Sequence, residues 1–207
     1  HPAKRERKYA MSAPLSRHHA TSVAYVGLFA ALMAVLGLVP KIDLPFGVPI
    51  TLQSLGVMLA GCLLGGLRGF QAITLFLIAV AAGLPLLAGG RGGMGVFLTP
   101  SSGYLVGYAL AAGVTGWLMR WLPVHSPRRA ATSAFIASAL GGIVFLHLLG
   151  IAGLMLFAKL TLQQAIWIDL AFVPGDLIKA LLCAAIVHSV AKAMPDWRMG
   201  GRTSCHA

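Results

Sequence analysis

Acidic side chains are nearly missing from this chain. Among its 207 residues only Glu6, Asp43, Asp169, Asp176 and Asp196 are acidic, against sixteen lysines and arginines. Charged residues of both signs make up 10% of the sequence, where a soluble domain carries about 25%. Hydrophobic residues make up 58% and the mean hydropathy is +0.84. So little charge excludes an ordinary soluble globular domain and points to long apolar runs in a membrane. The net charge of +11 does not indicate nucleic-acid binding, because the basic residues flank apolar runs instead of forming a basic face interleaved with aromatics. Cysteine is scarce as well. Cys62 and Cys183 fall in apolar runs and Cys205 lies near the C-terminus, without the spacing of a zinc site or a disulfide framework. They read as two small apolar fillers and one tail thiol. No G-x-x-x-x-G-K-[ST], G-x-S-x-G or H-E-x-x-H occurs, so the chain carries no signature of nucleotide hydrolysis, serine hydrolysis or zinc proteolysis.

What is there is a succession of apolar segments punctuated by charge, glycine and proline. Six spans are expected, at about residues 21–39, 50–64, 70–87, 104–122, 130–157 and 170–193. The second is short for a bilayer crossing. The fifth exceeds the ~20 residues a crossing needs, and Gly141, Gly142, Gly150 and Gly153 mark it as kinked or broken. This organisation predicts a basic N-terminal tail over 1–20, a membrane domain over 21–193 and a C-terminal tail over 194–207, with Met11 as a plausible native start. With the N-terminus inside, twelve basic residues fall in inner segments and only Lys41, Arg91 and Lys159 in outer loops. That bias predicts a multi-pass membrane protein with both termini in the cytoplasm.

Against this apolar background a few polar stretches stand out. "FVPGDLIKA" places Asp176 and Lys179 three residues apart, on one face of a helix. A lone ion in hydrocarbon costs at least ~2.5–3.5 kcal/mol, so the pair must face protein or a wet cavity. It reads either as a self-neutralising staple or as a polar binding site. Asp169, seven residues earlier, reads as a vestibule charge or an interfacial cap. The linker "GLPLLAGGRGGMGVFLTPSSG", residues 83–103, surrounds Arg91 with five glycines. Backbone this irregular cannot face lipid. It is expected to pack on protein or to line a cavity, burying its apolar residues Leu84, Leu86, Leu87, Met94, Val96, Phe97 and Leu98. "VPITLQSLGVMLAG" puts Thr51, Gln53 and Ser54 at the outer end of the second span, and Gln53 reads equally as an interfacial group or a ligand contact. In the first span, Gly27-x-x-x-Ala31 and Ala30-x-x-x-Ala34 form small-residue rows suited to close helix approach, within the chain or with a partner.

Three of these stretches, "VPITLQSLGVMLAGCLLG", "GLPLLAGGRGGMGVFLTPSSGYLVGY" and "FVPGDLIKA", resemble the BioY family, the biotin-binding S components of energy-coupling-factor (ECF) vitamin transporters. The resemblance runs from about Val23 to Lys192. It implies an all-α, six-transmembrane-helix bundle of the ECF S-component type, with the Gly-rich outer loop between spans three and four. It implies biotin as transported ligand, with no cofactor and no enzymatic activity. It implies ligand contacts at Asp176, Lys179, Arg91, Tyr104 and Gln53. Some relatives have Asn where this chain has Arg91, and some have a basic residue where it has Leu105. Arg91 therefore has two readings, against the ureido ring or against the carboxylate. Gly27, Ala31, Ala30 and Ala34 are the implied contact with a transmembrane coupling subunit, which works with two ATPase subunits. Two rival readings remain: a self-sufficient proton-coupled transporter in which Asp176 titrates, and an intramembrane enzyme built from Ser101, Ser102, His147 and Asp176. His147 itself reads as a hydrogen-bonded packing residue, and His188 lies on the far side of its helix from Lys179.

Overall fold

The computed structural model describes residues 17–44 and 48–201, with side chains from residue 21 onward. Most of the expected tail over 1–20, the start at Met11 and the thiol of Cys205 lie outside the described residues. The fold is a helical bundle, and its order can be followed from a central element outward.

The centre is α2, Gln53–Leu64, in which every residue is buried. Twelve residues rise about 18 Å, so this helix is a short pillar enclosed by others. Around it stand α1 (Arg17–Gly37), α3 (Gly66–Ala81), α4 (Ser102–Trp121), the long helix α5 (Pro127–Phe157) and α7 (Val173–Ala193). A nine-residue helix, α6 (Leu162–Leu170), lies between α5 and α7. A short antiparallel ribbon, β1 (Ile42–Asp43) with β2 (Pro49–Ile50), joins α1 to α2. Lys41 pairs with Asp43 beside it.

Two helices, Pro127–Phe157 and Val173–Ala193, are long and apolar enough to cross a membrane. Thr21–Gly37, Gln53–Leu64 and Gly66–Ala81 are apolar but shorter. The exterior carries large apolar side chains, among them Leu28, Val35, Ile78, Val144, Leu156 and Ile178, while Asp169, Asp176, Lys179 and His147 are buried. An apolar outside around a charged inside suits a lipid environment and no aqueous one.

Three expectations change. The glycines of the fifth span do not break it. Residues 127–157 form one continuous helix whose middle, Ser138–Phe145, widens into π-turns. Its glycines permit close approach. A Cβ at Gly150 would strike the Tyr104 ring, and one at Gly153 would meet the backbone of Gly103 at 2.7 Å. The sixth span is not one helix from residue 170. α6 ends at Leu170 and α7 begins at Val173, because Pro174 has no N–H to continue the ladder. Residues 194–201 are not a free tail. Trp197 donates to Leu63 O at 3.0 Å and its ring meets Tyr25 edge-on at 5.1 Å, with Met199 buried.

The glycine-rich linker follows α3. Gly89 and Gly90 adopt φ of 81° and 71°, a left-handed turn open to residues without Cβ. Leu87 and Arg91 exchange backbone hydrogen bonds across it, and Gly93 N bonds Val80 O at 2.8 Å. Leu87 and Val96 are buried as expected, whereas Leu84, Met94 and Leu98 point outward from the linker.

Candidate ligand-binding site

A pocket opens between α2, α4, α7 and the linker, and Gln53, Arg91, Tyr104, Asp176 and Lys179 all line it. Val48, Leu87, Leu105, Leu146 and Phe172 supply apolar wall, and Tyr108 joins Tyr104 as a second aromatic. The structure thus brings together five residues that lie up to 126 positions apart between Gln53 and Lys179.

Pro174 is the second residue of α7 and Asp176 sits in the first turn, where the helix dipole favours a carboxylate. One helical turn on, Lys179 Nζ donates to Asp176 Oδ1 at 2.7 Å. Ser54 closes the group, donating to the same Oδ1 at 2.9 Å and accepting from Lys179 at 2.9 Å. The second oxygen, Oδ2, is 2.9 Å from His147 Nε2. An ionised carboxylate offers about four acceptor positions and an ammonium three donors. Among the described residues, Asp176 is left with one acceptor position, on Oδ2, and Lys179 with one N–H, and both side chains line the cavity.

Behind this wall lies a layer that sequence reading missed. His147 Nδ1 is 2.8 Å from Asp169 Oδ2, and the Tyr104 hydroxyl donates to Asp169 Oδ1 at 2.6 Å. Asp169 is therefore neither a vestibule charge nor an interfacial cap. It is buried at the end of α6, held by groups from α5 and α4. His147 is hydrogen-bonded as expected, but its partners are two carboxylates. The chain has five acids, and two meet at one imidazole. That scarcity was the available signal, since a buried acid and a buried histidine must find partners. The hydrolase reading finds no support here. Both His147 nitrogens face carboxylates, Ser101 bonds Thr99, and Ser102 Oγ has no partner among the described residues.

Gln53 is spent on the fold. Its Nε2 donates to Met33 O at 3.2 Å and Leu86 O at 3.1 Å, and its Oε1 accepts from Ala88 N at 3.4 Å. It clamps the linker to α1 and α2 from the edge of the cavity. Arg91 is the opposite case. Its Nε donates to Ala88 O at 3.3 Å, and no carboxylate pairs with its guanidinium among the described residues. The small-residue rows of α1 separate. Gly27 and Ala31 are exposed, with no neighbour among the described residues within 4 Å of a Cβ at Gly27, while Ala30 and Ala34 pack against the core.

Comparisons with known proteins give the family. The BioY family profile matches residues 7–196. The biotin transporter BioY of Rhodobacter capsulatus is 46% identical, over 84% of this chain and 95% of that protein. The BioY of Rhizobium etli is also 46% identical, over 81% and 91%. The crystal structure of the S-component for biotin from an ECF-type ABC transporter superposes with a TM-score of 0.76. It shares 31% identity and covers 87% of this chain and 95% of its own. With its apolar exterior and this kinship, the chain is a membrane protein, and it belongs to the BioY family.

Proposed function

We propose that this chain is the high-affinity biotin-binding subunit of a biotin uptake system. The observation that carries the reading is the capacity the described residues leave at the cavity wall: one acceptor on Asp176, one donor on Lys179 and the guanidinium of Arg91, which has no carboxylate partner among them. Biotin's ureido ring sets an N–H beside a C=O. The N–H suits Asp176 and the carbonyl suits Lys179. The cluster behind them already holds cations and carboxylates in equal number when His147 is charged, so Arg91 supplies the excess positive charge an anionic ligand needs. We assign the valerate carboxylate to Arg91, as a charge-assisted contact. The bicyclic ring and alkyl chain lie against Tyr104, Phe172 and the aliphatic wall. Gln53 acts on the ligand through the linker it holds.

The six crossings are α1, α2, α3, α4, α5 and α7, with the linker capping the outer end and both termini in the cytoplasm of a bacterial cell. The basic-residue bias supports that orientation. Uptake is energised by a transmembrane coupling subunit and two ATPase subunits, a reading supported by the likeness to the S-component of an ECF-type ABC transporter. The test is to purify the protein in detergent and identify the co-purifying small molecule by mass spectrometry, followed by titration of ligand-free protein. Recovery of biotin and its saturable binding are expected. A different vitamin, or none from a well-folded sample, defeats the reading.

A further inference from the structure

We propose that His147, carried as imidazolium, is a positioning residue that aims Asp176 at the ligand. In its binding measurements the proposal rests on the biotin reading above. Neither His147 nor Asp169 is among the cavity-lining residues, yet both are buried behind Asp176. An ionised carboxylate only accepts hydrogen bonds. A ring with carboxylate oxygens 2.8 and 2.9 Å from its two nitrogens meets both by donating from both. The bond to Oδ2 then fixes the carboxylate plane of Asp176 from behind, while Ser54 and Lys179 fix Oδ1. The remaining acceptor position has one direction.

The groups facing His147 come from three helices: Tyr104 from α4, Asp169 from α6, and Asp176, with Lys179 beside it, from α7. With the ring charged, two carboxylates meet one ammonium and one imidazolium, and the cluster sums to zero. With the ring neutral, one negative charge is left over in an apolar surrounding, and the single N–H that remains can donate to only one of the two carboxylates. Asp176 loses its rear hydrogen bond whenever that N–H turns to Asp169. His147 therefore decides whether Asp176 stays aimed at the ligand. Asp169, steadied by Tyr104, holds the ring in place.

The experiment titrates purified protein with biotin at neutral pH, beside His147→Gln and Asp169→Asn. His147→Gln keeps an amide donor but no charge, and should bind about tenfold or more weaker. Asp169→Asn loosens the ring's anchor and should weaken binding by several fold. Nitrogen-15 spectra of ligand-free protein should show both His147 nitrogens protonated at neutral pH, assigned by their loss in His147→Gln. An unprotonated ring nitrogen, or an Asp169→Asn curve that superposes on wild type, overturns the proposal. The spectrum needs no ligand, so a chain that fails to bind biotin defeats the functional reading and leaves the imidazolium to be judged alone.

Discussion

The two walls of the cavity are built by opposite means. On the α5–α7 side, charged side chains from several helices satisfy one another: Tyr104 to Asp169, Asp169 to His147, His147 to Asp176, Asp176 to Lys179. On the linker side, shape comes from backbone, with Gly89 and Gly90 in left-handed turns and Gln53 holding three main-chain groups. The first wall is rigid because each ion has a partner, and removing one leaves another uncompensated. The second is held by neutral hydrogen bonds and presents one cation, Arg91, without a carboxylate partner among the described residues. A carrier must seize its ligand and also release it. The contrast assigns recognition of the polar ring to the first wall, and entry with capture of the ligand's charge to the second.

The largest effect should come from breaking the charged wall. Asp176→Asn leaves the cluster with an excess positive charge, and Lys179→Met leaves it with an excess negative one. Either uncompensated ion typically costs ~3–5 kcal/mol. In the double replacement His147 and Asp169 still balance each other, so thermal stability without ligand should recover most of the loss. Biotin affinity should not recover, because the acceptor and donor for the ureido group are gone; a hundredfold loss is about 2.7 kcal/mol. Calorimetric titration beside thermal unfolding separates the two quantities. Near-normal affinity in a folded double mutant would reduce the pair to a structural staple.

Next in size is the lone cation of the other wall. Arg91→Met should weaken biotin about tenfold to a hundredfold, as expected for one charge-assisted contact of ~1.5–3 kcal/mol. The methyl ester of biotin lacks the carboxylate charge. It should bind wild type and Arg91→Met alike within a few fold. If Arg91→Met weakens acid and ester equally, the guanidinium serves the ureido ring instead.

Smaller again is the clamp. Gln53→Leu removes up to three neutral hydrogen bonds and leaves Leu86 O, Met33 O and Ala88 N without those partners. Its main effect should be on the linker. Hydrogen exchange of residues 84–96 should quicken and ligand dissociation should accelerate several fold, with a modest loss of overall stability. Unchanged linker exchange would mean that the left-handed glycine turns hold the loop unaided.

The same contrast explains what could be read from the sequence. Asp176, Lys179 and Arg91 announce themselves because a charge in an apolar or glycine-rich stretch needs a local reason. The BioY resemblance then gathers them with Tyr104 and Gln53. The Asp169–His147 bond gives no such signal. Its residues are 22 positions apart on different helices, and the bond exists only once α4, α5 and α6 have packed. Ser54 was visible as a polar residue near the helix end, but not as the third member of the Asp–Lys group. The glycines of α5 were read by their helix propensity, which packing overrides. At Gly150 the missing Cβ makes room for the Tyr104 ring rather than breaking the helix. Span edges shifted where proline or tertiary contact decides them, as at Pro174.

The smallest effect on ligand binding should come from the exposed row of α1. Gly27 and Ala31 lie four residues apart on an outward face, and a Cβ at Gly27 meets no neighbouring helix within 4 Å among the described residues. Gly27→Leu should therefore fold normally, and in a helix it replaces a weak helix former by a strong one. Its biotin affinity should stay within about twofold of wild type, since neither wall of the cavity includes this face. If the row is the seat of the coupling subunit, the added side chain keeps the two helices from approaching closely, because such contacts depend on small residues. Co-purification with the coupling and ATPase subunits should fall several fold, and ATP-driven uptake should fall with it. Ala30→Leu gives the opposing test on the inward row. Ala30 packs against the core, so the larger side chain should lower thermal stability by ~1–3 kcal/mol. Normal assembly of a folded Gly27→Leu protein would remove the outward row as the docking face and move the search to another exposed helix.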